Sequence, residues 1–134
     1  MKRLQLIIMI FLGLWFLNCE NDRTGEEADS TQFSGKVLFN DSSEPLIGRV
    51  SIIGFKNNFP TDKTIVSKEQ TLNSDGSFDI FFEADPNVDR FTITIRDMPD
   101  SPERAFESFN CGALDCNLVS PGKVYENLVF EVMQ

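Results

Sequence analysis

Three cysteines, Cys19, Cys111 and Cys116, are the residues of this chain best suited to covalent chemistry, and none of its 134 residues is histidine. Without an imidazole, the Ser-His-Asp and Cys-His nucleophile systems are excluded, as is every zinc site that needs a histidine ligand. Acid and base work could fall to lysines or paired carboxylates. With 21 Asp and Glu in the chain, however, some close pairs arise on any solvated surface, and no spacing marks a reactive one. Asn73, Asp75, Ser77 and Asp79 place oxygens at alternate positions around Gly76, an order that could ligate calcium. The 12-residue calcium loop with its closing Glu is absent, and turn chemistry accounts for these residues without an ion. No catalytic residue, metal or cofactor is expected.

Cys19 follows a basic start, Lys2 and Arg3, and an apolar run over residues 4 to 17. That order marks an export signal. The run is 14 residues long, whereas a membrane-spanning helix needs about 20, so a signal-peptide core describes it better than an anchor helix. Phe16, Leu17, Asn18 and Cys19 resemble the lipobox of bacterial lipoproteins. The resemblance implies cleavage before Cys19 and a diacylglycerol on its thiol, which would tether the chain to the bacterial cell envelope. The outer membrane is the expected site, on its periplasmic or surface face. Simple secretion is the alternative.

Lipid on Cys19 would leave Cys111 and Cys116 as an even pair in an oxidising compartment, where a disulfide is expected. It would close a loop so short that chain entropy gives only about 2 kcal/mol. Such a bridge staples a loop, not a domain. Two free thiols, or a metal held by two thiolates, are the alternatives. Redox catalysis is disfavoured because four residues separate the pair, where two are usual.

The whole chain carries a net charge of −9, and loss of residues 1 to 18 with Lys2 and Arg3 takes it to −11. So acidic a chain is repelled by phosphate backbones, and no basic stripe counters this, so nucleic acid is not expected as a partner. Residues 19 to 32 are acidic and polar, with Glu20, Asp22, Glu26, Glu27 and Asp29 among Asn, Thr, Gly and Ser. They cannot bury enough surface to offset ordering entropy and read as a flexible stalk. Residues 33 to 134 are of a size for one domain.

From Phe33 onward the apolar residues alternate, the pattern of strands with one buried face. Residues 33 to 39 place Phe33, Val37 and Phe39 on one side, and residues 49 to 55 do the same with Val50 and Ile52. A weaker strand is expected within 64 to 72, and residues 73 to 76 form the clearest tight turn. Phe78, Ile80 and Phe82, then Phe91, Ile93 and Ile95, then Leu128, Phe130 and Val132 complete the inward rows. No helical period with a cap occurs after the signal. About seven short strands must therefore close a core as two packed antiparallel sheets. Of the 13 phenylalanines, two lie in the signal peptide and most others alternate along strands, which marks them as core and not as a ligand platform.

Three segments, Gly35 with Val37, Pro45 and Leu46 with Val50 and Ile52, and Leu72 with Asp75, Gly76, Phe78 and Ile80, resemble the carboxypeptidase regulatory-like domain. The resemblance covers residues 33 to 95 and implies a transthyretin-like, or more broadly Ig-like, seven-stranded β-sandwich. It further implies an accessory or binding module and not a catalyst. The partner of such a module, an envelope protein or a polysaccharide, would meet loops carried by the rigid sheets. Residues 97 to 121 are the candidate loop, through Phe106, Phe109 and Leu114, although Phe106 and Phe109 would serve equally as a strand edge or a lid over the core. A carbohydrate-binding accessory domain is the second reading. It lacks aromatic platforms, because Trp15 lies in the signal peptide and only Tyr125 and the phenylalanines remain.

Overall fold

The computed structural model describes residues 29–58, 60–108 and 119–134. The signal peptide, Cys19, most of the stalk, the Cys111 and Cys116 pair, Phe109 and Leu114 lie outside the described residues. The described chain is all β. Its strands are β1 (Thr31–Phe39), β2 (Arg49–Lys56), β3 (Lys63–Thr71), β4 (Ser77–Phe82), β5 (Arg90–Arg96), β6 (Phe106–Glu107) and β7 (Val124–Val132). One sheet runs β4-β1-β7-β6 and the other β3-β2-β5.

The alternating rows fall where the pattern predicts. Phe78, Ile80 and Phe82 on β4, Phe91, Ile93 and Ile95 on β5, and Leu128, Phe130 and Val132 on β7 are all buried. Rings from both sheets meet around Phe33. It lies edge-on to Phe82 of its own sheet at 6.1 Å between centroids, and to Phe91 of the other sheet at 5.4 Å. Aromatic pairs of this geometry add about 0.5–1.5 kcal/mol each beyond the area they bury. The two sheets thus share one core.

Two expectations need correction. The stalk gives up its end to the domain: Thr31 and Gln32 belong to β1, Thr31 is buried, and its hydroxyl accepts a hydrogen bond from the Gly122 N–H at 2.8 Å. The sheets are also not wholly antiparallel, since β1 and β7 run parallel. The cause lies in the preceding segment. Val119 exchanges backbone hydrogen bonds with Phe91 of β5, at 2.8 and 2.9 Å, and Lys123 O accepts from Gln32 N. The chain is thereby delivered to the end where β1 begins, and from there β7 can only run alongside it.

That parallel pair carries an irregularity. Phe33 pairs with Tyr125 and Gly35 with Leu128, so β7 holds one residue more than β1 over this step. Asn127 takes up the difference in the left-handed region, at φ 57°, which Asn tolerates better than most residues. The extra residue reverses the facing of β7. Tyr125, an odd number of residues from Leu128, turns inward as well and stacks on Phe33 at 5.2 Å with its ring 7° from parallel. Strict alternation would have sent one of the two to solvent.

The sheet edge at β4 is closed by side chains of β3. Gln70 Oε1 accepts from the Asp79 N–H at 3.0 Å, and Lys68 Nζ donates to Phe81 O at 2.6 Å. These bonds stand in for a neighbouring strand and blunt an edge that could otherwise template pairing with another chain. The turn at residues 73 to 76 therefore links strands of different sheets instead of closing a paired hairpin.

Gly35 is the tightest of the described glycines. A Cβ there would lie 2.2 Å from Leu128 O and 2.7 Å from Leu128 Cβ, both on or beside rigid backbone. Gly35→Ala is expected to lower stability by about 2–3 kcal/mol, as overpacking does. Ser34→Ala, one position along, should cost under about 0.5 kcal/mol. Urea unfolding of the two variants decides it: equal midpoints would show that β7 yields freely at this contact.

Candidate functional site

Of Phe106, Phe109 and Leu114, the three residues named for the expected partner loop, Phe106 is the one that the described structure includes. It pairs with Val132, and its ring lies 5.0 Å from that of Phe130, tilted by 56°. It is half-buried and packs against the core, as a lid. The segment leading to it is firmly held. Arg104 donates from Nε and Nη2 to the two oxygens of Asp97 at 2.6 and 2.9 Å, and from Nη1 to Met133 O at 2.5 Å. Its guanidinium also sits over the Phe39 ring at 5.5 Å. The hydrogen bond to Asp97 is the first cause holding the Arg104 pKa above its ordinary value, with burial acting the other way.

The oxygen-rich turn is satisfied within itself. Asn73 Nδ2 donates to Ser77 Oγ at 2.9 Å, Ser77 Oγ donates to Asp75 Oδ1 at 2.6 Å, and the Ser77 N–H reaches the same oxygen at 3.1 Å. The Asp79 carboxylate accepts from Gln32 Nε2 across the sheet at 2.9 Å. Gly76 takes the left-handed φ of 77° that the turn needs. Turn chemistry thus occupies these oxygens, as the sequence suggested.

A concavity among the described residues lies elsewhere, at the end of the sheets where β1 begins. It is a cavity of about 510 Å³, lined by Val66 of β3, by Glu83, Asp85, Pro86 and Val88 of the β4–β5 connection, by Phe91 of β5, and by Asp29, Thr31, Pro121 and Gly122. Such a volume falls in the range of small-molecule sites. Its floor is apolar and shaped by an absence. Gly54 of β2 lies beneath it, and a Cβ there would come within 2.8 Å of Val66, 3.0 Å of Phe91 and 3.1 Å of Val88. The missing side chain lets the three converge.

Three carboxylates, Asp29, Glu83 and Asp85, line this cavity, and no lysine or arginine among the described residues does. The ion pairs among the described residues join Lys36 to Asp75, Arg49 to Glu69, Arg90 to Asp62, Arg96 to Glu103 and Arg104 to Asp97. None of them includes the cavity's acids. Asp85 is fixed by its own turn, its Oδ1 accepting from Asn87 N at 2.8 Å and from Asn87 Nδ2 at 3.1 Å. No three acids or thiols among the described residues converge as a metal centre would require.

Sequence reasoning did not find this site. Its residues come from five separate stretches, and Asp29 had been read as stalk. The adjacent Asp85 and Pro86, residues that favour turns, are the one sequence feature that could have marked a built loop there.

In the turn at residues 73 to 76, the Asp75 carboxyl is held below its ordinary value, first by the Ser77 hydroxyl, then by the Ser77 N–H, with Lys36 at 3.6 Å adding to this. A depressed carboxyl stabilises the fold above the unfolded-state pKa, and the contribution is lost as pH falls through the folded value. Ser77→Ala should raise the Asp75 midpoint toward that of a free aspartate in an NMR titration. An unchanged midpoint would assign the shift to the Ser77 N–H and Lys36 instead. No family model, curated protein or solved structure matches this chain, so the reading of the cavity rests on its own chemistry.

Proposed function

We infer that this chain is a noncatalytic, lipid-anchored protein of the bacterial cell envelope whose β domain serves as a binding module. The observation that carries the reading is the order of parts along the chain. A basic start and an apolar run lead to Cys19, and the first strand begins at Thr31. The 11 residues between them, if extended, reach about 36–40 Å, enough to hold the domain clear of a bilayer surface.

The two sheets are proposed to form a transthyretin-like, seven-stranded sandwich of the carboxypeptidase regulatory-like kind. Support comes from the positions of the residues that carry the resemblance. Gly35 lies where β1 and β7 approach most closely, Pro45 bridges to Leu38 just before β2, and Asp75 and Gly76 turn the chain from β3 into β4. The cavity at the anchored end, with a rigid floor and an acidic lining, is the feature a binding module requires.

The intact mass of the protein purified from its native membrane tests the anchor. A chain beginning at Cys19 with two or three acyl groups is expected, and reduction should add about 2 Da for a bridge between Cys111 and Cys116. A lipid-free mass, or a different first residue, would overturn the anchored reading.

A further inference from the structure

We propose that the outer edge of β3, at Ser67, Glu69 and Thr71, is a docking edge that takes an extended, basic segment of a partner polypeptide as an added strand. The inference goes beyond the binding-module reading and rests on neither the lipid anchor nor the cavity.

The register of the β3-β2-β5 sheet fixes which backbone groups face outward. Phe91 of β5 exchanges both of its backbone hydrogen bonds with Val119, and Ile95 O accepts from the Arg104 N–H at 2.8 Å, so these residues turn away from β2. In an antiparallel pair such turning alternates. The β2 partners of Phe91, Ile93 and Ile95 are Gly54, Ile52 and Val50, which therefore bond to β3, at Val66, Lys68 and Gln70. The Leu72 N–H, donating to Gly48 O at 2.9 Å, continues the same alternation. Ser67, Glu69 and Thr71 are left with their N–H and C=O groups on the outer edge, and all three residues are exposed. The other edges are managed. Lys68 and Gln70 reach the edge of β4, Val119 and Arg104 bond along β5, and β6 is only two residues long. Among the described residues, no backbone group bonds to the outer edge of β3. A row of donors and acceptors repeating about every 6.6–7 Å is matched by another extended backbone, the mode of strand addition. A second copy is a poor occupant. Two-fold pairing about the middle of the row sets Glu69 opposite Glu69 or Lys68 opposite Lys68, and like charges directly opposite are destabilising. Glu69 at the middle of the row and a net charge of −9 favour a basic strand.

Amide hydrogen exchange of the full chain in nonionic detergent, followed by NMR, gives the first test. Free, the amides of Ser67, Glu69 and Thr71 should exchange fast while those of Lys68 and Gln70 are protected. The chain would then be titrated with a blocked peptide, Lys-Thr-Val-Thr-Val-Thr-Lys, which should protect the three outward amides saturably. The same peptide with glutamates at its ends should bind about tenfold more weakly, the worth of two exposed charge contacts, and one with its central amides N-methylated should not bind. Ser67→Pro removes one outward N–H at a position where an edge strand tolerates proline, and should weaken binding at least tenfold, while Ser67→Ala should leave it unchanged. If Ser67→Pro fails to fold, the exchange pattern and the N-methylated peptide decide without it. The proposal is overturned if the outward amides are already protected in the free chain, or if their protection rises with protein concentration and so reports a second copy. It is equally overturned if the titration does not saturate, if the glutamate-ended or N-methylated peptide binds as well, or if a folded Ser67→Pro chain keeps full affinity. A lipid-free intact mass would refute the anchor and leave this result standing.

Discussion

The close approach of the first and last strands at Gly35 and Leu128 is the contact from which most of this structure follows. With only hydrogen on Gly35, β7 can lie against β1 at backbone distance. That contact sets the register beyond it, so that Val37 meets Phe130 and Phe39 meets Val132. On the near side the register can join only if β7 gains a residue, and Asn127 supplies it. The same step turns Tyr125 inward, where its ring covers Phe33 and its hydroxyl donates to Ser120 O at 2.9 Å. Burial raises the Tyr125 pKa, as expected for a phenol whose body serves the core and whose tip remains polar. A glycine, a left-handed asparagine and a half-buried tyrosine are therefore one device. It joins the start of the domain to its end and completes the aromatic cluster that ties the two sheets together.

The strands were legible because each buries one face and shows solvent the other. Phe78, Ile80 and Phe82 alternate with an exposed Asp79 and Phe81, and no competing period fits them. β3 was faint for an equally physical reason. It is an edge strand, its residues are mostly exposed or half-buried, and Lys68 and Gln70 face the neighbouring sheet as hydrogen-bonding groups in place of an apolar row. β6 is only two residues long and has no period to detect. Strand direction was a different matter. Alternation is the same for parallel and antiparallel neighbours, so nothing in residues 124 to 132 announces that β7 runs with β1. The direction is decided by Val119 and Lys123, through backbone bonds that carry no side-chain signature.

The site was less legible than the fold. The motif proposed around Cys19 is confined to a short stretch of chain, and a motif of that kind is visible in one dimension. A cavity is assembled from separate stretches, and neither Asp29 nor Glu83 is unusual among 21 acids. Even Gly54, which makes room for the floor, sits in an ordinary strand pattern until Val66, Val88 and Phe91 are seen to close over it.

The distribution of charge gives the acidic lining its meaning. In a chain with an excess of acids, surface carboxylates without partners are inevitable, so a lone one carries no information. The positions of the arginines do. Arg90 joins Asp62 to Asn57 while its guanidinium sits over the Phe55 ring, Arg96 reaches Glu103 and the carbonyl of Pro99, and Arg104 holds Asp97 to the end of β7. Each ties a loop to a strand, and each sits where it removes local repulsion as well. At the cavity, Asp29, Glu83 and Asp85 border one opening without a basic residue among the described residues that line it. Like charges gathered without compensation cost stability, modestly for exposed groups but without return in the isolated domain. Other loop acids, Asp41, Glu44 and Asp100 among them, also form no ion pair among the described residues, so the arginines neutralise chosen loops and leave the rest of the acidic surface to solvent, where screening keeps the repulsion small.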